Sequence, residues 1–258
     1  MNDKVDFTYE QLQDVPRTDR ERPFHDIVDI LGPMSHVTPV SPEEAEKYRG
    51  RLPDGLIEFW LEHGRGALLK GYIWICDPAL LRPVLEAAFE GDPVYSADDF
   101  DCCMYDYDGR VFAWSKQFHL TKLDLAGFDR TISVGKEGPI YDGEGKEMTP
   151  DLALGHAIRV TGYSLSRDMD ERYSDYDLFS SASNRLGLLE SGEIFGFFPS
   201  RQMGGEGYPE DMRKAGIVEH LLFHLQLGPA TLIEWQKDPN NPDNSLRRPV
   251  PVRLLGPQ

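Results

Sequence analysis

The run from Leu186 to Gly205, LGLLESGEIFGFFPSRQMGG, crowds glycines, aromatic residues and a proline into twenty positions, and few backbones accommodate it. Gly187 follows an apolar helical pattern and can take the left-handed conformation that ends a helix. Glu190 to Gly192 supplies a turn, and the apolar run Ile194, Phe195, Phe197, Phe198 reads as a buried strand. Pro199 stops regular pairing and Gly204-Gly205 turns the chain. Helix, turn, strand and turn in so short a stretch point to a fold that mixes the two kinds of element locally.

The rest of the chain reads the same way. Phe24, Ile27, Val28 and Leu31 give a short amphipathic helix that Gly32-Pro33 ends. Ser41-Pro42 starts a second helix that runs to about Arg49, and Asp54 caps a third, whose stripe is Leu56, Phe59 and Trp60 before Gly64. Ala67 to Ile75 reads as a strand, Pro78 to Phe89 as a helix, and Asp101 to Tyr107 with Arg110 to Trp114 as a hairpin turned by Asp108-Gly109. Strands are expected near Gln117 to Leu123 and Thr131 to Val134. Helices are expected from Thr149 to about Thr161, Asp175 to Leu186 and Glu210 to Leu225, with strands at Glu193 to Phe198 and Thr231 to Trp235. No regular strand–helix alternation emerges, so the expected class is α+β, two fused mixed helix/antiparallel-sheet modules. The expected division is a polar N-terminus over 1–20, a first module over 21–134, a glycine-rich junction over 135–148, a second module over 149–236 and an irregular Pro/Asn-rich tail over 237–258.

The chain has 258 residues, enough to bury a full core, and carries 44 acids against 27 Lys and Arg, a formal charge of −17. That charge disfavours nucleic acid and anionic membrane as direct ligands. Glu86, Glu90, Asp92, Asp98, Asp99, Asp101, Asp106 and Asp108 follow one another without a single Lys or Arg, and a second acidic stretch runs from Asp168 to Asp177. Either run can be a solvated face, or an interface that imitates a phosphate backbone. The interleaved Tyr95, Phe100, Tyr105, Tyr107, Tyr173 and Tyr176 favour contact anchors. Cys76, Cys102 and Cys103 form neither a metal pattern nor an even disulfide framework, which suits free thiols in a reducing cytoplasm. The polar first residues are not a signal peptide, and no apolar run reaches membrane length.

An enzyme would need a nucleophile, base or metal site. His220 and His224, at i and i+4 on an apolar helix, are the best pair, but Leu221 stands where a zincin helix places its Glu, so a packed histidine is the plainer reading. Cys76 or Cys103 lacks a local signature for a Cys–His pair. Gly64-Arg65-Gly66 is too short for a phosphate loop, and Gly204-Gly205-Glu206-Gly207 lacks the P-loop Lys and Ser or Thr. No catalytic residue, metal site or cofactor is expected.

Two motifs resemble known families. Residues Leu186 to Gly205, followed by Glu219-His220-Leu221-Leu222-Phe223-His224-Leu225-Gln226-Leu227, resemble the C-terminal domain of immunity proteins that neutralise type VI secretion DNase effectors. Lys47 to Pro78, KYRGRLPDGLIEFWLEHGRGALLKGYIWICDP, resembles the GAD-like domain that often precedes that module. The polar Ser200-Arg201-Gln202-Met203 departs from the immunity pattern, and suits a different partner. The resemblance implies a cytoplasmic protein that binds a cognate toxin, a DNase, with nanomolar or tighter affinity and covers its DNA-binding cleft. On that reading Asp98, Asp99, Asp101, Tyr105 and Asp106 in the first half, and Arg201, Gln202, Glu206 and Tyr208 in the second, are the expected toxin contacts. The alternatives are a regulatory interaction module and a small-molecule enzyme built on His220 and His224.

Overall fold

In the computed structural model, which describes residues 21–142, 145–164, 175–237 and 247–256, the hairpins line up in one long sheet. The first half contributes the helices α1 (Ile27–Leu31), α2 (Pro42–Glu46), α3 (Asp54–His63) and α4 (Arg82–Ala88). Its strands are β1 (Ser35–Thr38), β2 (Arg65–Leu68), β3 (Ile73–Ile75), β4 (Asp101–Asp106), β5 (Val111–Ser115), β6 (His119–Asp124) and β7 (Thr131–Ser133). A small hairpin, β8 (Ile140–Tyr141) with β9 (Glu147–Met148), leads to α5 (Pro150–Ser164) and α6 (Asp175–Leu186). After these come β10 (Glu193–Phe197), β11 (Met212–Gly216), α7 (Ile217–Gln226), β12 (Ala230–Lys237) and β13 (Arg247–Leu255). The result is α+β.

The nine-stranded sheet runs β1-β2-β3-β4-β5-β6-β7-β12-β13, antiparallel except where β7 meets β12. That parallel pair joins the two halves: Thr131, Ile132 and Ser133 lie opposite Thr231, Leu232 and Ile233. A separate antiparallel ribbon, β10 with β11, is tied to the sheet where the Phe195 N–H donates to the Tyr107 carbonyl at 2.7 Å. One apolar cluster extends from Phe24 to Leu255, so the halves share a core. β4 and β5 are buried along their whole lengths, as expected of central strands covered on both faces.

Several expected elements take a different form for identifiable reasons. Pro53, rather than Asp54, occupies the cap of α3, and Asp54 sits in the first turn, where its charge suits the helix dipole. Ala67 to Ile75 is a hairpin: Leu69, Lys70 and Gly71 all have positive φ (49°, 57° and 98°) and fold β3 back on β2. The helix expected from Glu210 starts only at Ile217, because Met212 to Gly216 is the strand that pairs with β10. The tail expected to be irregular contains β13. Its prolines, Pro249 and Pro251, are tolerated because β13 is an edge strand, where a missing N–H can face outward. Cys76, Cys102 and Cys103 are buried free thiols, and burial pushes Cys76 up to about 12, so none is a ready nucleophile.

Candidate functional site

Three of the expected contact residues are buried: Tyr105 and Asp106 in the core, and Asp101 beside a small cleft. Tyr105 is covered because β4 is an interior strand; its ring stacks on Trp74, and its hydroxyl accepts from the Gly192 N–H at 2.8 Å, fixing the turn before β10. Asp106 is fully buried and belongs to an ionic knot. Arg110 Nε lies 2.7 Å from Asp106 and 3.1 Å from Asp108, while Arg110 Nη2 reaches Asp175 at 3.0 Å. The Tyr107 and Tyr72 hydroxyls donate to Asp175 at 2.9 Å and 3.3 Å. Burial pushes Asp106 well above the ordinary carboxylate range. Burial opposes the charge of Asp108 too, but Arg110 and a hydrogen bond from Asp106 outweigh it and hold Asp108 low. Within the knot the two hairpin aspartates are thus pushed in opposite directions, and it fastens α6 to the β4–β5 turn. Tyr107 and Phe100 are likewise core rings and Tyr95 is half-buried against the core, so the aromatic residues among the first acidic run are not an exposed set of anchors.

The remaining acids of the first group stay together. Asp98, Asp99 and Asp101 line a small cleft of about 350 Å³ with Arg51 and Lys116. Each is engaged: Asp98 by Arg82, Asp99 by the Ser96 N–H at 2.8 Å in a capping box, and the buried Asp101 by Arg51 at 2.7 Å. Burial raises Asp101 despite Arg51. Of the second acidic stretch, residues 168–174 lie outside the described residues.

The second group sits on the loop after β10. Arg201 is half-buried, its guanidinium 4.2 Å from the Phe197 ring centre and 4.8 Å from that of Phe128. The Gln202 amide donates to the Leu125 and Gly127 carbonyls, strapping the loop to the end of β6. Glu206 is exposed and Tyr208 half-buried. The pairings Asp101↔Trp114 and Trp114↔Leu120 put Asp98, Asp99 and Asp101 at one end of the strands, whereas Leu125 and Gly127 lie past the other end. The two groups are thus not one surface. Phe198, expected inside the buried strand, lies one residue past the end of β10 and is exposed, as are Met203 on the loop and Phe223 on α7.

His220 and His224 occupy the buried stripe of α7 with Ile217, Leu221 and Leu225, the i, i+3, i+4 pattern of a core helix. Their Nε2 atoms are 3.1 Å apart, and the His220 ring lies against Gly196. Burial depresses both; in His224, burial, His220 and Arg130 together bring the value to about 4. Among the described residues, no cluster of three or more His, Cys, Asp or Glu side chains is arranged to hold a metal ion.

A larger cleft, of about 780 Å³, opens between the sheet face bearing Phe112, Leu120 and Lys122 and the side of α5 bearing His156, Ala157 and Val160. Tyr141 of the β8–β9 hairpin and Trp235 of β12 also line it, and these two with Val160 are exposed by 56%, 49% and 46%. Five separated segments build this cleft, so no local motif announces it.

Residues 22–126 match the GAD-like domain family, and residues 159–228 match the C-terminal domain of the type VI secretion system (T6SS) immunity protein Tdi1. The chain joins a GAD-like domain to a Tdi1-type immunity domain. The GAD-like domain holds α1 to α4 and β1 to β6; the Tdi1-type domain holds the end of α5, α6, the β10–β11 ribbon and α7. The family is one of T6SS immunity proteins, and its region here includes the loop with Arg201, Gln202, Glu206 and Tyr208. No curated protein matches the chain. The crystal structure of Atu4351 from Agrobacterium tumefaciens shares the fold, with a TM-score of 0.71 over 91% of this chain and 99% of that one at 20% identity. The large cleft lies at the seam: Phe112, Leu120 and Lys122 come from the GAD-like domain, Val160 from the Tdi1-type domain, and His156 and Ala157 from the segment between. Among the described residues no helix is long and apolar enough to cross a membrane.

Proposed function

We propose that this chain protects the cytoplasm of the cell that makes it by binding a cognate T6SS toxin, a DNase, and covering its DNA-binding or active site, without catalysis of its own. The observation that carries the reading is the Tdi1-type immunity domain over residues 159–228. The net charge of −17 supports a DNase as the partner, since a nuclease must present cations to DNA and an acidic inhibitor is steered toward them. The loop end is the primary contact surface, with Glu206 and Tyr208 beside Arg201 and Gln202 as the polar part, and Phe198, Met203 and Phe223 as apolar anchors. Asp98 and Asp99, at the opposite end of the strands, form a secondary contact for a toxin large enough to span the sheet.

The test is to titrate the purified chain into the protein encoded next to it and follow DNA cleavage. Stoichiometric loss of cleavage is expected, and Glu206→Lys should weaken the complex by about 10-fold with the fold intact. DNA still cut in the presence of folded, saturating chain would overturn the DNase pairing.

A further inference from the structure

The seam cleft has features that binding a protein toxin does not require. Its volume, about 780 Å³, falls within the range of small-molecule pockets, and its wall is mostly apolar, with Phe112, Leu120, Ile140, Met148 and Trp235 among its residues. Its charge runs against that of the whole chain. Arg110, Lys122 and Lys136 line it against Asp106 and Glu234, in a protein where acids outnumber Lys and Arg by 44 to 27. Two of those cations are already matched: Arg110 by the aspartates of the knot, and Lys136 by Glu234 at 3.5 Å. Lys122 differs. It is half-buried, has no carboxylate within ion-pair distance among the described residues, and holds its ammonium 5.9 Å from the centre of the Phe112 ring, a residue that also lines the cleft. Asp108 and Asp124 sense its charge from farther away. A partly desolvated ammonium on an apolar wall is stabilised by an anion that brings its own apolar surface.

We infer that the seam cleft binds a small amphipathic carboxylate, its hydrocarbon or aromatic body between the sheet and α5 and its anionic head on Lys122. The ligand would contact both family domains and the segment between them, so it would stabilise their junction. This site is distinct from the loop surface assigned to the toxin and stands whether or not that toxin is a nuclease.

The experiment uses the full chain with 1-anilinonaphthalene-8-sulfonate, an apolar ring system carrying one anionic head, at neutral pH where circular dichroism reports the native fold. Saturable one-site fluorescence enhancement is expected, with decanoate displacing the probe at least about 10-fold better than decylammonium, the preference that one ion pair supplies. Lys122→Met should weaken the probe and decanoate by about 10-fold while decanol competes unchanged. Ala157→Trp, which fills the cleft from α5, should abolish binding of all three. Absence of saturable binding, equal competition by decanoate and decylammonium, or a Lys122→Met protein that binds decanoate like the native one would each overturn the assignment.

Discussion

Replacing Arg110 with Met tests whether the ionic knot is a structural fastener. In the native protein one half-buried guanidinium faces Asp106, Asp108 and Asp175 at 2.7, 3.1 and 3.0 Å. Methionine keeps much of the side-chain volume, so the loss is chiefly electrostatic: the buried Asp106 and the half-buried Asp108 and Asp175 stay behind without their cation. Removing one partner of a buried ion pair costs about 3–5 kcal/mol. That is a large fraction of the roughly 5–15 kcal/mol that holds a typical domain folded. The cost carries a pH signature. Without Arg110, Asp108 loses the charge that holds it low against its burial, and its folded pKa rises above the unfolded value. Such a group destabilises the folded state most at pH values above its folded pKa, and the penalty fades as pH falls toward the unfolded value. Urea unfolding followed by tryptophan fluorescence at pH 8 and pH 5 should therefore show a deficit near 4 kcal/mol at the higher pH and a clearly smaller one at the lower. Adding Asp175→Asn to the variant should recover part of the loss at pH 8. A deficit below about 1 kcal/mol, or one of equal size at both pH values, would refute the reasoning.

The histidine pair gives the native chain an acid sensitivity of the opposite sense. His224 is held near 4 by burial, His220 and Arg130, below the value of an unfolded histidine, so the unfolded chain takes up a proton first. Stability should be full above about pH 6.5 and fall by up to about 3 kcal/mol as pH drops toward 4; His224→Gln should flatten that part of the curve, and an unchanged slope would remove the pair as its cause. Gly196→Ala would place a methyl 2.5 Å from His220 Cε1, so the variant should lose about 1–3 kcal/mol in thermal or urea unfolding. Adding His220→Ala should recover the packing part of that loss, and a Gly196→Ala protein as stable as the native one would show that the ring moves aside freely.

The sequence was most legible where the physics is local. The α3 stripe, the Asp108-Gly109 hairpin and the glycine-proline punctuation around β10 all depend on neighbours within a few positions, and each is present. β2 and β3 read as one strand because the turn between them uses Leu69 and Lys70 in left-handed conformations that neither residue advertises. β13 was hidden by its prolines, whose meaning depends on being at an edge, a property of the sheet order and not of the tail. The site was harder still. Tyr105 and Asp106 looked like surface contacts because acids cluster around them, yet burial of a strand is decided by what covers it. The seam cleft needed Lys122, Val160 and Trp235 brought together from distant segments.

The fate of the acids changes how an acidic inhibitor should work. Asp92 pairs with Arg253, Glu86 and Asp98 with Arg82, Asp101 with Arg51, and Asp106 and Asp108 with Arg110. In the sequence these form a continuous negative run; in the fold most are matched at short range, by Arg82 and Arg110 that flank the run and by Arg51 and Arg253 brought in from farther along the chain. Internal pairing rearranges charge without removing it, so the net −17 still attracts a basic partner at distances longer than any one pair. Once the partner is in contact, matched carboxylates offer little more, and the hold falls to Glu206, which has no ion-pair partner among the described residues, and to exposed Phe198 and Met203 of the loop and Phe223 of α7. For the proposed toxin complex, salt should therefore slow association, since screening acts beyond roughly 8–10 Å, and leave the dissociation rate nearly unchanged. Trimming Met203 to Ala should do the reverse. A complex whose dissociation rate rises steeply with salt would instead mean that the paired acids open and re-pair across the interface.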